Sequence, residues 1–353
     1  MYNLIDLLIQ VANNNGSDLH LIVGLPPMMR VDTVLRPLGT EILTEDDTRS
    51  LAYSVLNQKQ IESFEAKLEL DCSFSINDIG RCRLNIFKQQ GKISLALRII
   101  PQEFYTFGQL RLPKVVYNLV NLQKGLILVT GATGSGKTTT LASMINYINE
   151  HKKGHIVTIE DPIEYIHRHK NCIVNQREVG ADTASFATAL RSVLRQDPDI
   201  VLVGEMRDLE TISSVITLAE TGHLVFATLH TIDSSSSVDR IVDVFPANQQ
   251  EQVGVQLAQV LQAIFSQQLV PHMSGKGMVL ASEVMIINDG VKNIIRERKT
   301  EQLYSVIQTS RQIGMQTMNQ SLLDGVNNKL ISPQVAIDYS LRKKELESLL
   351  KDI

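Results

Sequence analysis

Short runs of consecutive apolar residues, each followed by a helix-length stretch, dominate the second half of the chain. Leu126 to Thr130, Ile156 to Ile159, Ile200 to Val203 and Leu224 to Thr228 are largely apolar on successive positions. Strands that are apolar on both faces belong to a parallel sheet covered by helices on both sides. The pattern therefore predicts a doubly wound α/β fold from about Gly125 onward. After about Asp239 the strand-like runs thin out, and helical spacing is expected over Val253 to Phe265, Val291 to Arg298 and Met318 to Val326. The serine run Ser234 to Ser237 reads as a loop leading into a helix.

The first hundred residues follow another rule. Leu4, Ile5, Leu7, Leu8, Ile9 and Val11 form an amphipathic opening helix; Asp6 and Gln10 interrupt the run and no basic region precedes it, so it does not read as a signal peptide. Alternating runs at Leu70 to Ile76 and Arg83 to Phe87, with turn residues Gly24, Pro26 and Pro27, predict a small α+β domain. The expected organisation is residues 1–100, a linker over 101–113 marked by Pro101, Gly108 and Pro113, and a larger domain over 114–353. A length of 353 residues fits two domains, and 43% hydrophobic with 20% charged residues fits globular cores in both. A net charge of -4 argues against nucleic acid as a partner, and no uncharged apolar run reaches membrane-spanning length. Cys72, Cys82 and Cys172 form no C-x-x-C pair, so a reduced, cytoplasmic protein is expected.

The strongest chemical signal is Gly131-Ala132-Thr133-Gly134-Ser135-Gly136-Lys137-Thr138, lying between an apolar run and a helical one. Glycines let consecutive backbone N–H groups turn toward phosphates, and the helix that follows adds the positive end of its dipole. Thr133, Gly134, Ser135, Gly136, Lys137, Thr138 and Thr139 are the candidate nucleotide contacts, with Lys137 on the β- and γ-phosphates and the Thr138 hydroxyl on Mg²⁺. Asp199 to Glu205 is an apolar strand ending in an acid; Glu205 is placed either to polarise an attacking water or simply as a solvated strand-end carboxylate. Arg207 and Asp208 read as a helix start, with Asp208 as cap. Glu160, Asp161 and Glu164 surround Pro162 directly after a strand, as a Mg²⁺-holding group or as an acidic loop. His230 ends the run from Gly222, either as a γ-phosphate sensor or as a hydrogen-bonded structural histidine.

In order and spacing, the runs Gly131 to Thr138, Ile159 to Tyr165, Val203 to Asp208 and Gly222 to His230 resemble the four nucleotide-site boxes of the secretion ATPase superfamily, which powers type II secretion and type IV pili. Within it, Gly16 to Leu21, Val174 to Gly180 and Gly314 to Met318 resemble the pilus retraction ATPases, over nearly the whole chain. The resemblance implies a smaller PAS-like α+β domain preceding a RecA-like P-loop ATPase domain, and a homohexamer that binds ATP with Mg²⁺ between subunits. It implies Glu205 as catalytic glutamate, Glu160 and Glu164 in the acidic box, His230 in the histidine box, and Arg83, Arg98, Arg191 and Arg195 at phosphate-contacting positions. An inner-membrane pilus platform protein and a paralogous retraction ATPase are the implied partners, met at the cytoplasmic side of the pilus base. Extension and type II secretion relatives carry a tetracysteine zinc element after the histidine box; no cysteine follows Cys172, which favours retraction. The family's retraction segment Ala-Ile-Arg-Asn-Leu-Ile-Arg-Glu is matched closely only in its latter half by Gly290 to Glu297. The alternatives are an assembly or secretion ATPase with the same chemistry, and a regulatory module that senses ATP without turning it over.

Overall fold

The computed structural model describes residues 2–31, 34–76, 80–100 and 104–351. Two compact units emerge, one comprising Met1–Glu103 with Glu164–Ile166, the other Phe104–Ile163 with His167–Ile353.

In the first unit the opening helix, Leu4–Asn13, buries Leu4, Leu7, Leu8 and Val11 at helical spacing. The Asn3 side chain caps it by accepting from the N–H groups of Ile5 and Asp6. The helix shares a core with a six-stranded antiparallel sheet: β1 (Asp18–Leu21), β2 (Met28–Val31), β3 (Val34–Pro37), β4 (Glu69–Ile76), β5 (Gly80–Gln89) and β6 (Lys92–Ile100), in the order β3-β2-β1-β6-β5-β4. Leu19 of β1, Leu97 of β6 and Leu84 of β5 sit opposite one another and face the core. Their chain neighbours Asp18, Arg98 and Arg83 therefore lie on the other face, as the period of two requires.

The second unit holds a seven-stranded sheet of β7 (Gly125–Thr130), β8 (His155–Glu160), β9 (Ile173–Glu178), β10 (Ile200–Val203), β11 (Leu224–Leu229), β12 (Leu261–Pro271) and β13 (Met278–Ile286), ordered β13-β12-β7-β11-β10-β8-β9. Every pairing is parallel except the β12–β13 hairpin. β7, β10 and β11 are buried at every position, because helices cover both faces. Helices Met318–Asn327, Pro333–Tyr339 and Lys343–Lys351 form a smaller core against the hairpin through Leu322, Ala336 and Leu346.

Two expectations need correction. The stretch Val253 to Phe265 is not all helix: the helix Ala247–Val260 ends where β12 begins, and β12 with β13 adds two long strands to the region where strands were expected to thin out. Gln256, Gln259 and Gln262 recur every three residues and carry the helical spacing past Val260, but pairing with β7 makes the residues from Leu261 a strand. Ser234 to Ser237 form the first turn of the helix Ser234–Asp243, capped by Asp233, whose side chain accepts from Ser236 N–H; short polar residues suit that turn. In the expected linker, residues 101–103 lie outside the described residues, while Phe107 and Leu112 are buried in the second unit's core.

Candidate active site

The phosphate-loop residues connect β7 to the helix Lys137–His151. Gly131, Gly134 and Gly136 adopt φ of +140°, +78° and +89°, conformations that other residues rarely take. Space matters as much as conformation at Gly131, where an added Cβ would lie 2.4 Å from the Gln267 carbonyl oxygen and 2.5 Å from Ser135 Oγ. Lys137 donates from Nζ to the carbonyls of Gly131 at 2.8 Å and Ala132 at 3.0 Å, so the ammonium lies folded over the loop. Ser135 is buried with its Oγ unpartnered among the described residues, and Thr133, Gly134 and Ser135 line a cavity of about 280 Å³ with Ile232, Gln267, Leu269 and Tyr339. An unsatisfied hydroxyl in a glycine cradle, with an ammonium that can leave two neutral acceptors for an anion, fits a nucleotide's phosphates.

β12 braces this loop through residues that the sequence reading did not single out. Ser266 Oγ accepts from the Thr130 hydroxyl at 2.9 Å, and Gln267 donates from Nε2 to Thr140 Oγ1 at 2.9 Å. Both are buried. The available signal was a polar triplet, Ser266-Gln267-Gln268, inside an otherwise apolar run.

At the ends of the neighbouring strands stand the acids. Glu160 closes β8 almost fully buried; its Oε1 accepts from the Thr158 hydroxyl at 2.6 Å and from Gln176 Nε2 at 3.2 Å. Gly204 N–H donates to the Ile159 carbonyl at 2.8 Å, which draws the end of β10 beside that of β8. Glu205 follows, its side chain only 13% exposed. Oε2 lies 3.1 Å from Nε2 of His230, while Oε1 meets Arg207 Nε as an ion pair. Arg207 thus belongs to the site, against its reading as part of a helix start, whereas Asp208 caps the helix Leu209–Glu220 by accepting from Thr211 N–H at 2.8 Å. Burial, then the charges of Lys137 and Arg207, hold the His230 imidazole below its ordinary pKa of 6.5, so the ring is neutral at pH 7.

The remaining candidates divide between the units. Arg191 pairs with Glu210 at 2.9 Å, and Arg195 is exposed just beyond the helix Phe186–Val193. Glu164 groups with the first unit, as do Arg83 and Arg98, which are exposed cross-strand neighbours on β5 and β6. Thr138 sits one residue into the helix after the loop. For Mg²⁺ the donor set is a hydroxyl and strand-end carboxylates, and no cluster of three or more ligating His, Cys, Asp or Glu occurs among the described residues. That set fits an ion which takes one or two protein oxygens and completes its shell with phosphate and water.

A parallel sheet with a glycine-rich loop at one strand end and a glutamate at another defines a RecA-like P-loop ATPase. Residues 30–338 match the family described as Type II/IV secretion system protein. The chain is 47% identical over 334 residues to the Type IV pilus retractation ATPase PilT of Pseudomonas aeruginosa, covering 95% of this chain and 97% of the relative. A Twitching motility protein of Neisseria gonorrhoeae is 44% identical over 335 residues, covering 95% and 90%. A solved structure of the pilus retraction motor PilT with bound ADP superposes with a TM-score of 0.93 at 48% identity, covering 99% of this chain and all of that one. The chain belongs to the type II/IV secretion ATPase family, in its PilT-type pilus retraction branch, and is an ATP hydrolase.

Proposed function

We propose that the chain is a cytoplasmic hexameric motor that couples ATP hydrolysis to retraction of type IV pili and to twitching motility. The observation that carries the reading is Glu205, held by His230 and Arg207 at the end of a strand two places from the phosphate-loop strand, in a chain whose full-length relatives are named for pilus retraction.

ATP enters the loop as Lys137 exchanges the Gly131 and Ala132 carbonyls for phosphate oxygens. Glu205 orients the attacking water and accepts its proton. His230, neutral at pH 7, donates from Nε2 to Glu205 in the Nε2–H tautomer and keeps that carboxylate aimed. Thr138 would hold Mg²⁺ with Glu160 and Glu164 near its water shell; when bound, the ion neutralises charge on the phosphates. Arg83 and Arg98 reach a neighbouring subunit's nucleotide, and Arg191 and Arg195 supply further positive charge. Phosphate release then reopens the subunit boundary and turns the ring against an inner-membrane pilus platform protein, with a paralogous retraction ATPase as a second partner.

Replacing Glu205 with Gln keeps the shape and removes the base, so nucleotide affinity should persist while turnover falls about 10²–10⁴-fold. Lys137→Ala should instead weaken binding itself. Both are read by nucleotide titration and steady-state hydrolysis; near-normal turnover in Glu205→Gln removes the residue from this role. Cells lacking the gene should carry excess pili, and bare cells would reassign the motor to pilus assembly.

A further inference from the structure

Arg83 and Arg98 do not stand alone. Strand register sets them in one row on the sheet face opposite the first unit's core: Arg30 on β2 is opposite Asp18 on β1, Asp18 opposite Arg98 on β6, and Arg98 opposite Arg83 on β5. Directly opposed side chains on adjacent strands start about 5 Å apart at Cβ, and like charges so placed repel. Arg30 and Arg98 thus share the one carboxylate of Asp18, while Arg83 stands beyond Arg98 with its charge opposed to that guanidinium, a juxtaposition that is unfavourable until an anion meets it.

Asp18 is only 8% exposed. Its Oδ1 accepts from Arg98 Nε at 2.8 Å; its Oδ2 accepts from the Ser17 hydroxyl at 2.7 Å and faces Arg30 Nε at 3.7 Å. Burial would raise the Asp18 pKa, but the hydrogen bonds of Ser17 and Arg98, with the Arg98 charge, outweigh it, so the carboxylate stays ionised at pH 7. His20, the next residue along β1 on this face, is held below its ordinary pKa by burial and adds no charge at pH 7. The Arg98 side chain is 69% exposed although its Nε is engaged. A guanidinium gripped through Nε keeps its two terminal amino groups for a bidentate phosphate contact in a fixed plane.

We propose that Asp18 is a positioning residue of the motor's reaction: it holds Arg98 by Nε so that Arg98 and Arg83 present a fixed edge to the γ-phosphate in a neighbouring subunit, with Arg30 steadying Asp18 from the far side. The proposal rests on the reading that Arg83 and Arg98 act across the subunit boundary. Loss of fixation is a geometric defect, so its effect is smaller than loss of an arginine.

Asp18→Asn keeps the shape and loses the charge. Its kcat should fall about 10²-fold, the scale of a misplaced catalytic group, with KM for ATP nearly unchanged because the phosphate loop is intact. Arg98→Ala should fall further, within the roughly 10³–10⁵-fold worth of an arginine finger. In the Asp18→Asn/Arg98→Ala double variant no loss should appear beyond that of Arg98→Ala, since Asp18 acts only through Arg98. Co-assembled with Lys137→Ala chains, Asp18→Asn chains should regain turnover as Arg98→Ala chains do. Recovery with Arg98→Ala but none with Asp18→Asn, additive losses in the double variant, or a kcat within about twofold of the parent each overturn the proposal. Failure of both mixtures in rings shown to co-assemble overturns the trans reading itself, and the role of Asp18 with it. If Asp18→Asn does not fold, Arg30→Gln removes the outer partner at a half-buried site, and an unchanged kcat there counts against the row.

Discussion

The two sheets put their working residues in opposite kinds of place. In the second unit they stand at strand ends within a closely packed structure: Ser135 and Glu160 are buried, Glu205 nearly so, and β12 presses on the phosphate loop. In the first unit Arg83 and Arg98 are exposed on the face of an antiparallel sheet away from its apolar side, although Asp18 and Ser94 on that face are buried. A parallel sheet buried on both faces offers chemistry only at its ends, where each functional group is also a packing group. An antiparallel sheet with one solvated face carries function there without touching its core. Changes at the strand ends should therefore damage stability and activity together, while changes on the open face should separate them.

The largest effect is expected at Gly131→Ala. The new Cβ meets a β12 backbone carbonyl that the sheet holds in place, at a φ of +140°. Clash and backbone strain together should cost about 2–6 kcal/mol and abolish nucleotide binding. At Gly134 nothing lies within 4 Å of the added atom, so only the left-handed strain remains, about 1–2 kcal/mol. Urea unfolding and nucleotide titration on the two variants give the contrast. Equal losses at both positions would mean that strain alone, and not the packing of β12 on the loop, couples stability to the site.

Acid should also separate the units. His167 is buried in the second unit, with Nδ1 unpartnered among the described residues and its ring 4.7 Å from that of Phe104. Burial first, then the Lys170 charge, pushes its pKa from 6.5 down to about 4. The folded value lies below the unfolded one, so the unfolded chain takes the proton first. Stability is then full above pH 6.5 and falls by about 3 kcal/mol as the pH drops to 4. In the first unit, His20 shifts in the same direction by less, and the contribution of Asp18, whose pKa is lowered from 3.8, is lost only below that value. Hydrogen exchange between pH 7 and 4 should loosen the second unit more, and His167→Phe, which retains a ring beside Phe104, should remove most of the difference. An unchanged acid limb in that variant would point to another buried group.

The same contrast governs what the sequence discloses. Gly131 to Thr138, Asp199 to Glu205 and Gly222 to His230 are contiguous because a strand end and the turn after it are consecutive in the chain. Their order along the sheet is not contiguous, and Ser266 and Gln267 reach the loop only through the pairing of β12 with β7. The first five residues of β12 fall inside an expected helix, because Gln256, Gln259 and Gln262 continue a helical spacing across the point where the strand begins. The first unit is harder still. Arg30, Asp18, Arg98 and Arg83 come from four strands and become neighbours only through register; family resemblance implied roles for Arg83 and Arg98 and covered Asp18 only as part of Gly16 to Leu21, with no role attached. Arg207 was legible as a residue but not as a partner, because its ion pair with Glu205 depends on how the chain turns after β10.

The smallest effect on stability is expected where the open-face rule extends to a helix, Asp289–Arg296, the segment resembling the family's retraction-specific one. Asn288 caps it by accepting from Val291 N–H at 2.9 Å, and Val291 and Ile295 are fully buried in the second unit's core, so these apolar positions hold the fold. The polar positions do not. Arg296 bonds back to Asn293 Oδ1 at 2.7 Å and to the Lys292 carbonyl at 3.3 Å, contacts confined to the helix itself. Alanine at Lys292, Asn293 and Arg296 together should shift unfolding by no more than about 0.5 kcal/mol, the usual range for exposed substitutions away from the core. Ring assembly and basal hydrolysis should stay near those of the parent, since no residue of the nucleotide site is altered. If this face passes force to the pilus platform, twitching should stop and pili should remain extended. Normal motility would show that the face carries no force; hydrolysis lost in step with motility would place this helix with the strand ends, where function and packing cannot be pulled apart.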